Sequence, residues 1–224
     1  MADAGRVVVV AIVGAESTGK TTLAQALCEA LRSPGGPGGR RVAWVPEVLR
    51  GWCERNGRTP LAHEQASILR MQHEQVAAAI ASHDTVVCDT TALMTAVYSR
   101  LVFGDTTLED RAGELHRRHV GLTLLTALDL PRVADGFQRS SPQVQRAVDQ
   151  ELRALMRRQH IGFSVVSGQG GERLGQALAA VAADAAAPAR AGGLFSRLAG
   201  HQQGPGTQHW LCECCPEPAA LRKA

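Results

Sequence analysis

Residues 7–13 (VVVVAIV) form an unbroken run of β-branched and small apolar side chains, with no polar position to mark a solvent face. Such a run suits a parallel strand covered on both sides. Downstream the period changes. Over 21–31, Leu23, Leu27, Ala30 and Leu31 fall on one helical stripe, and the Pro/Gly segment 34–39 stops that helix. Residues 41–45 read as a second strand, ending at Pro46 and Glu47. Thr59-Pro60 has the form of a helix start, with Thr as cap and Pro at the first helical position. From there to about residue 82, the pattern directs Leu61, Ile68, Leu69, Val76 and Ile80 inward. A third strand is predicted at 85–88, ending at Asp89, with helices at 92–102 and 108–119 after it. A fourth strand at 122–128 ends at Asp129, and a polar loop rich in Arg covers 131–142. An amphipathic helix at 143–160, a fifth strand at 163–166 and a last helix at 172–184 complete the pattern. Five strands alternating with helices predict an α/β fold, a doubly wound sheet with helices on both faces.

Composition changes at residue 185. The stretch 185–208 is rich in Ala, Gly and Gln and has the character of a flexible linker, and 209–224 is a cysteine-containing C-terminal tail. The expected division is therefore a catalytic domain over 1–184, then linker, then tail. The chain has 224 residues, 45% of them hydrophobic, which suits one α/β domain with some excess. Aromatic residues are 4% of the total, so the core must be aliphatic. A formal charge of +3 is too small to imply nucleic acid or a membrane surface as partner. The apolar run at 7–13 is short and leads into a glycine-rich turn rather than a cleavage site, and no stretch is long enough to span a bilayer. A cytoplasmic location is expected. Of six cysteines, Cys28, Cys53 and Cys88 are scattered through the apolar body and read as small reduced hydrophobes.

The chemistry begins where the first strand ends. Gly14, Ala15, Glu16, Ser17, Thr18, Gly19, Lys20 and Thr21 satisfy G-x-x-x-x-G-K-[ST] between a buried strand and an amphipathic helix. Glycines at those two positions let backbone N–H groups turn toward a phosphate, and the helix beginning near Lys20 aims its positive end at the anion. Lys20 is expected to reach the β- and γ-phosphates of ATP, and the Thr21 hydroxyl to ligate Mg²⁺, with Thr22 behind it. The alternative is a glycine-rich turn with an exposed lysine, which leaves the joint match at these positions unexplained.

Other positions leave alternatives open. Asp89, at the carboxyl end of a buried strand, is placed as a ligand to a Mg²⁺-bound water, as the base that orients an acceptor hydroxyl, or as a helix N-cap. Glu47 and Arg50 lie at the same edge and either hold a ribose or an acidic group, or form an exposed ion pair worth little. Arg132, Asp135, Arg139 and Arg146 lie in or beside the loop after the fourth strand. Guanidinium groups there close over phosphates in a lid, or stay solvated. Gly168 and Arg173 follow the fifth strand, beside the expected adenine site, where Arg173 could stack on a base. His63, His73, His116 and His119 read as helix-surface residues.

The segments 14–22 (GAESTGKTT), 44–50 (WVPEVLR), 87–91 (VCDTT) and 129–139 (DLPRVADGFQR) occur in the order found in the nicotinamide-ribose kinase domain of NadR regulators, within the P-loop kinases. The resemblance runs over about 7–181. It implies a three-layer α/β/α P-loop kinase with a five-stranded parallel sheet in the order 2-3-1-4-5. It also implies transfer of the ATP γ-phosphate to the 5′-hydroxyl of nicotinamide riboside. By that resemblance Glu47 and Asp89 fall at substrate-side positions and the segment 134–139, with Arg139, is the lid; Arg50, Arg132 and Asp135 are further candidates for binding the substrate. No helix-turn-helix precedes the first strand, since six residues stand before it, and the H-x-G-H signature of nucleotidyltransferases is absent, so adenylylation is not expected. Trp44, Trp52, Tyr98 and Phe137 are the aromatic candidates for stacking a pyridinium ring.

His209, Cys212, Cys214 and Cys215 lie within seven residues of the tail. Soft thiolates and imidazole suit Zn²⁺, but adjacent Cys214 and Cys215 do not both close easily on one tetrahedron with Cys212, and no second ligand pair exists. The leading expectation is a kinase of a small nucleoside-like acceptor. The competing ones are a kinase of another nucleoside or nucleotide, and a regulatory ATPase or switch that binds a protein partner. The acceptor, the oligomeric state and the role of the tail are left open by the residues.

Overall fold

Side chains alternate across the central strand, and that alternation builds both halves of the core. The computed structural model describes residues 7–33, 41–130 and 141–186, which belong to one unit ending at Ala186. The apolar run becomes β1 (Val8–Val13), followed by α1 (Lys20–Arg32), β2 (Val42–Val45) and α2 (Val48–Asn56). A short 3-10 turn (Ala62–Glu64) leads into α3 (Gln65–Ile80), then β3 (Thr85–Asp89), α4 (Ala92–Phe103) and α5 (Glu109–His119). The unit closes with β4 (Leu122–Thr126), α6 (Pro142–Arg158), β5 (Ser164–Val166) and α7 (Gly170–Ala186). All strand pairs are parallel, in the order β2-β3-β1-β4-β5. The expected α/β/α architecture and strand order are therefore observed.

Val9, Ala11 and Val13 of β1 face a core shared with Leu69 and Val76 of α3, Leu93 and Val97 of α4, and Leu152 and Leu155 of α6. Val10 and Ile12 face the opposite layer, made by Leu23, Leu27 and Leu31 of α1 with Ala177 and Val181 of α7. Covering both faces removes the need for a polar position in β1, and burying each Val, Leu or Ile contributes roughly 1.5–3 kcal/mol before entropy is counted.

The register determines what meets at the carboxyl edge of the sheet. Ile12 lies beside Asp89, Val13 beside Leu125, and Val45 beside Cys88. Asp89, Thr126 and Glu47 therefore emerge around the turn that follows β1. Open parallel sheets place ligands at this edge.

Several boundaries differ from the periodicity. No helix starts at Thr59-Pro60. The Glu64 carboxylate accepts the Leu61 N–H at 2.8 Å and pairs with Arg58 at 2.7 Å, so the chain makes its 3-10 turn first and α3 starts at Gln65. Leu61, expected inward, is 51% exposed. Helix α2 was not predicted. Its apolar stripe is short, Val48, Leu49 and Trp52, and it is held by a pocket on α3 around Ile68 and Met71 rather than by its own pattern. It stops at Gly57, whose φ of 64° provides the left-handed C-terminal residue. Strand β4 ends at Thr126, two residues earlier than residue 128, and β5 begins at Ser164.

His116 corrects another expectation. It is not a surface residue but is 3% exposed, its Nδ1 3.1 Å from Thr91 Oγ1 and its Nε2 2.8 Å from Thr123 Oγ1. One ring nitrogen donates and the other accepts, so the neutral ring satisfies both hydroxyls. His73 and His119 are half-buried and face each other across α3 and α5, ring centroids 5.1 Å apart.

Burial, with a smaller contribution from Arg117, lowers the His116 pKa from 6.5 to about 3. The unfolded chain takes up a proton below pH 6.5 that the folded chain refuses until about pH 3. Stability is therefore present above pH 6.5 and is lost as the pH falls between those values. The expected result is a melting midpoint that drops from pH 7 to pH 4, with a shallower slope in His116→Gln. Equal slopes in the two proteins, measured by circular dichroism, would contradict this account.

Candidate functional site

The turn from residue 14 to residue 19 is shaped by three left-handed or positive-φ residues, Gly14 at 152°, Ser17 at 56° and Gly19 at 75°. At Gly14 a side chain is excluded by Thr126, whose Oγ1 occupies the space a Cβ would need. Thr126 Oγ1 donates to Val13 O at 3.3 Å and lies 2.7 Å from Thr18 Oγ1, which donates to Ala15 O at 2.7 Å. The end of β4 thus ties the loop to its own first residues. Gly19 is followed directly by α1, which has no side-chain cap and no acidic residue in its first turn. Its first N–H groups and the positive end of its dipole are left for an anion.

Lys20 is 7% exposed and folds its Nζ onto Ala15 O at 2.8 Å. An ammonium held inside the loop by a carbonyl can exchange that oxygen for a phosphate oxygen without crossing solvent. Thr21 donates its hydroxyl to Asp89 Oδ2 at 2.5 Å. Asp89 is 2% exposed, and its Oδ1 has no hydrogen-bond partner among the described residues. It does not cap α4; Thr91 does, accepting the Leu93 N–H at 3.4 Å, so the N-cap alternative for Asp89 falls away. Between them, Thr90 has a φ of 74°, a strained value for a β-branched residue, and its buried Oγ1 likewise has no partner among the described residues. Thr22 is exposed and stands outside this arrangement.

The Thr21 hydroxyl and the Asp89 carboxylate are hard oxygen ligands already in contact, with one carboxylate oxygen unsatisfied. This donor set fits Mg²⁺, which takes one or two protein oxygens and fills its remaining positions with water and phosphate.

Glu47 enters from the other side. It precedes α2, and its side chain is 11% exposed, with the Arg50 Nε at 3.8 Å. Of the exposed ion pair that was one expectation, Arg50 is exposed but Glu47 is not. Burial raises the Glu47 pKa, and the charges of Asp89 and Glu16 add to this, while Lys20 and Arg50 oppose it. Tyr98 of α4 contacts the same group of charges. Its phenol hydrogen-bonds to Glu16, and burial together with the Glu16 and Glu47 charges pushes its pKa well above 10. Glu16 thus brings a side chain into the site as well as a backbone amide. The sequence offered Tyr98 only as a candidate for stacking a pyridinium ring, since spacing along α4 does not show which group its phenol meets across the fold. Of the other aromatic candidates, Trp44 packs on the α1 side of the sheet and Trp52 packs by α3 beneath Arg58. Phe137 lies outside the described residues.

Arg173 departs from the stacking role. It is 4% exposed and donates Nε to Gly168 O at 3.0 Å and Nη1 to Thr18 O at 2.5 Å, with Nη2 on Asp129. Asp129 also accepts the Gly168 N–H at 2.7 Å. The guanidinium N–H groups join the loop to the segments after β4 and β5, and its burial leaves no open face for a base. Gly168 has a φ of 78°, which lets that turn close around the arginine. Arg146 is exposed on α6. Arg132, Asp135 and Arg139 lie outside the described residues, as do Cys212, Cys214 and Cys215, the candidate Zn²⁺ ligands. Among the described residues no group of three or more His, Cys, Asp or Glu side chains is placed to hold a metal, and no helix is long and apolar enough to cross a membrane.

Solved structures share this fold. A NadR protein in complex with NR matches with a TM-score of 0.64 at 19% identity, over 81% of this chain and 51% of that one. A NadR protein in complex with NAD and AMP-PNP matches with a TM-score of 0.61 at 19% identity, over 81% and 50%. A deoxyadenosine kinase from M. mycoides matches at 0.55 and 11% identity, over 78% of this chain and 99% of that one. The chain thus spans about half the length of the NadR proteins it matches. No curated protein sequence matches it. A family model described as AAA domain covers residues 9–173, from β1 through the arginine that grips the phosphate loop, and the chain belongs to that family, with the fold of a P-loop kinase.

Proposed function

We propose that this chain is an ATP- and Mg²⁺-dependent kinase that phosphorylates the 5′-hydroxyl of nicotinamide riboside or a similar nucleoside. One observation carries the proposal: the Lys20–Thr21–Asp89 group and the desolvated Glu47 open onto the same edge of the sheet, close enough to perturb one another. A switch that only reads a nucleotide has no need of the second group. The structural likeness to NadR proteins and to nucleoside kinases supports the same reading.

In this mechanism the turn at 14–19 and the start of α1 bind the phosphates through backbone N–H groups. Lys20 leaves Ala15 O and neutralises the β- and γ-oxygens as charge moves toward the leaving group. Thr21 and Asp89 would hold Mg²⁺, which when bound offsets phosphate charge. Glu47 accepts a hydrogen bond from the attacking hydroxyl and takes its proton. A carboxylate with a raised pKa does this better than an ordinary one. Arg50 steadies Glu47. Tyr98 fixes the Glu16 carboxylate beside the acceptor. Arg132, Asp135 and Arg139 belong to this proposal as acceptor and lid residues, and Gly168 as part of the nucleotide's base side.

The charge balance separates nucleoside from nucleotide acceptors. Glu16, Glu47 and Asp89 face Lys20 and Arg50. Lys20 is committed to the donor's phosphates, so among the described residues a second phosphorylated ligand would meet more carboxylates than cations. A neutral or cationic acceptor would not.

The direct test is a panel of nucleosides, nicotinamide riboside included, and nucleoside monophosphates, with ATP and Mg²⁺ and mass-spectrometric detection of the phosphorylated products. Turnover of nucleoside monophosphates alone would overturn the assignment of the acceptor. Lys20→Ala is expected to lower kcat/KM by about a thousandfold with an unchanged circular dichroism spectrum. In wild type, kcat/KM should rise with pH through a limb above 4.5, as Glu47 loses its proton. Glu47→Gln should lower kcat about a hundredfold or more and abolish that limb. Asp89→Asn should instead raise the Mg²⁺ concentration needed for half-maximal rate and keep the limb, moved to lower pH because one charge that raises the Glu47 pKa is gone. An exchange of these two phenotypes would reverse the roles given to Glu47 and Asp89.

A further inference from the structure

Two buried side chains from distant parts of the chain grip the phosphate loop from outside. Gln145 of α6, 9% exposed, donates Nε2 to Glu16 O at 2.8 Å. Arg173 of α7, 4% exposed, donates Nη1 to Thr18 O at 2.5 Å. No peptide among the described residues is cis. In a planar trans peptide the carbonyl and the following N–H point in opposite directions. Holding Glu16 O toward α6 therefore turns the Ser17 N–H away from α6, and holding Thr18 O toward α7 turns the Gly19 N–H away from α7. Ser17 and Gly19 are the loop's two inner residues with left-handed φ, 56° and 75°, the alternation that gathers backbone N–H groups into an anion-binding concavity.

We propose that Gln145 and Arg173 are positioning residues for the nucleotide's phosphates, fixing the 16–17 and 18–19 peptide planes so that the Ser17 and Gly19 N–H groups face the anion. This rests on the reading of the loop as a nucleotide site. Neither side chain touches the phosphates. Each prevents a peptide flip that would aim a carbonyl oxygen at them. The position of Gln145 follows from the N-terminus of α6, where Ser141 caps the Val144 N–H at 3.3 Å and Pro142 opens the helix. The Arg173 side chain is held in turn by Asp129 and Gly168 O. The ends of β4 and β5 thereby bear on the orientation of a loop that begins at β1.

The test compares ligands that carry the phosphates with one that does not, using the full-length protein and calorimetry with Mg²⁺-AMP-PNP, inorganic tripolyphosphate and adenosine. Gln145→Leu and Arg173→Met should each weaken AMP-PNP and tripolyphosphate about tenfold or more, the effect of one positioning hydrogen bond. Gln145→Leu should change adenosine affinity, and Arg173→Met the KM of the acceptor, by less than about twofold, whereas general loosening of the fold would weaken every ligand alike. Arg173→Lys keeps one donor and should recover part of the loss. If Arg173→Met does not fold, Gln145→Leu alone decides, since it removes only an amide from one side of a helix. Folded variants that bind AMP-PNP as wild type does, or Gln145→Leu weakening adenosine as much as AMP-PNP, would overturn the positioning role. Wild type with no affinity for Mg²⁺-AMP-PNP would overturn the nucleotide reading itself.

Discussion

A polyanion can be held by backbone alone only if several N–H groups point at one place, and a peptide chain does not adopt that shape without help. The turn at 14–19 needs positive φ at three residues, one of them Ser17. Much of what surrounds it supplies that help. Thr126 closes the space beside Gly14, Thr18 bonds back to Ala15 O, and Lys20 occupies the interior. The carbonyl groups that turn outward are held by Gln145 and Arg173. The constraint reaches far from the turn, because those partners come from β4, α6 and α7. The parallel sheet makes this possible by setting its carboxyl ends side by side.

The same edge gathers charge. Lys20 and Arg50 stand among Glu16, Glu47 and Asp89, with Lys20 and Asp89 buried and Arg50 at the exposed rim. Burying carboxylates together raises the free energy of their charged forms, and at Glu47 this shows as a raised pKa. Such a cost persists where the site has work for it. Asp89 keeps one carboxylate oxygen without a protein partner, and Thr90 beside it keeps a strained backbone and a buried hydroxyl without one. His116 steadies this region from behind: its ring bridges Thr91, which caps α4, and Thr123 in β4. A neutral imidazole bonding two hydroxyls can be buried at little cost, whereas an imidazolium cannot.

The elements that were legible along the chain are those in which local pattern and tertiary environment agree. Buried parallel strands need continuous apolar runs, so β1 and β3 could be located. The G-x-x-x-x-G-K-[ST] spacing lies within one turn, so Gly14, Gly19, Lys20 and Thr21 stand out from the sequence as candidates for binding phosphate. The strand order came from family likeness rather than from the pattern, since periodicity says which face a residue uses and not which strand lies next to it. Helix α2 escaped notice because its short apolar stripe is stabilised by α3, and α3 began late because Glu64 bonds to Leu61 and Arg58 instead of extending the helix.

The chain by itself determined the alternating fold, the phosphate loop and the presence of carboxylates just past two strand ends. These follow from spacing along a single segment, where backbone geometry alone relates one residue to the next. Tertiary structure decided which groups those carboxylates face. It placed Asp89 on Thr21 and Glu47 near Lys20, moved His116 from the surface to the core, and turned Arg173 from a candidate base platform into a grip on Thr18. Each of these depends on contacts between residues tens to more than a hundred positions apart. Burial and partnership across such separations arise only when the sheet's register and the packing of its helices bring the segments together.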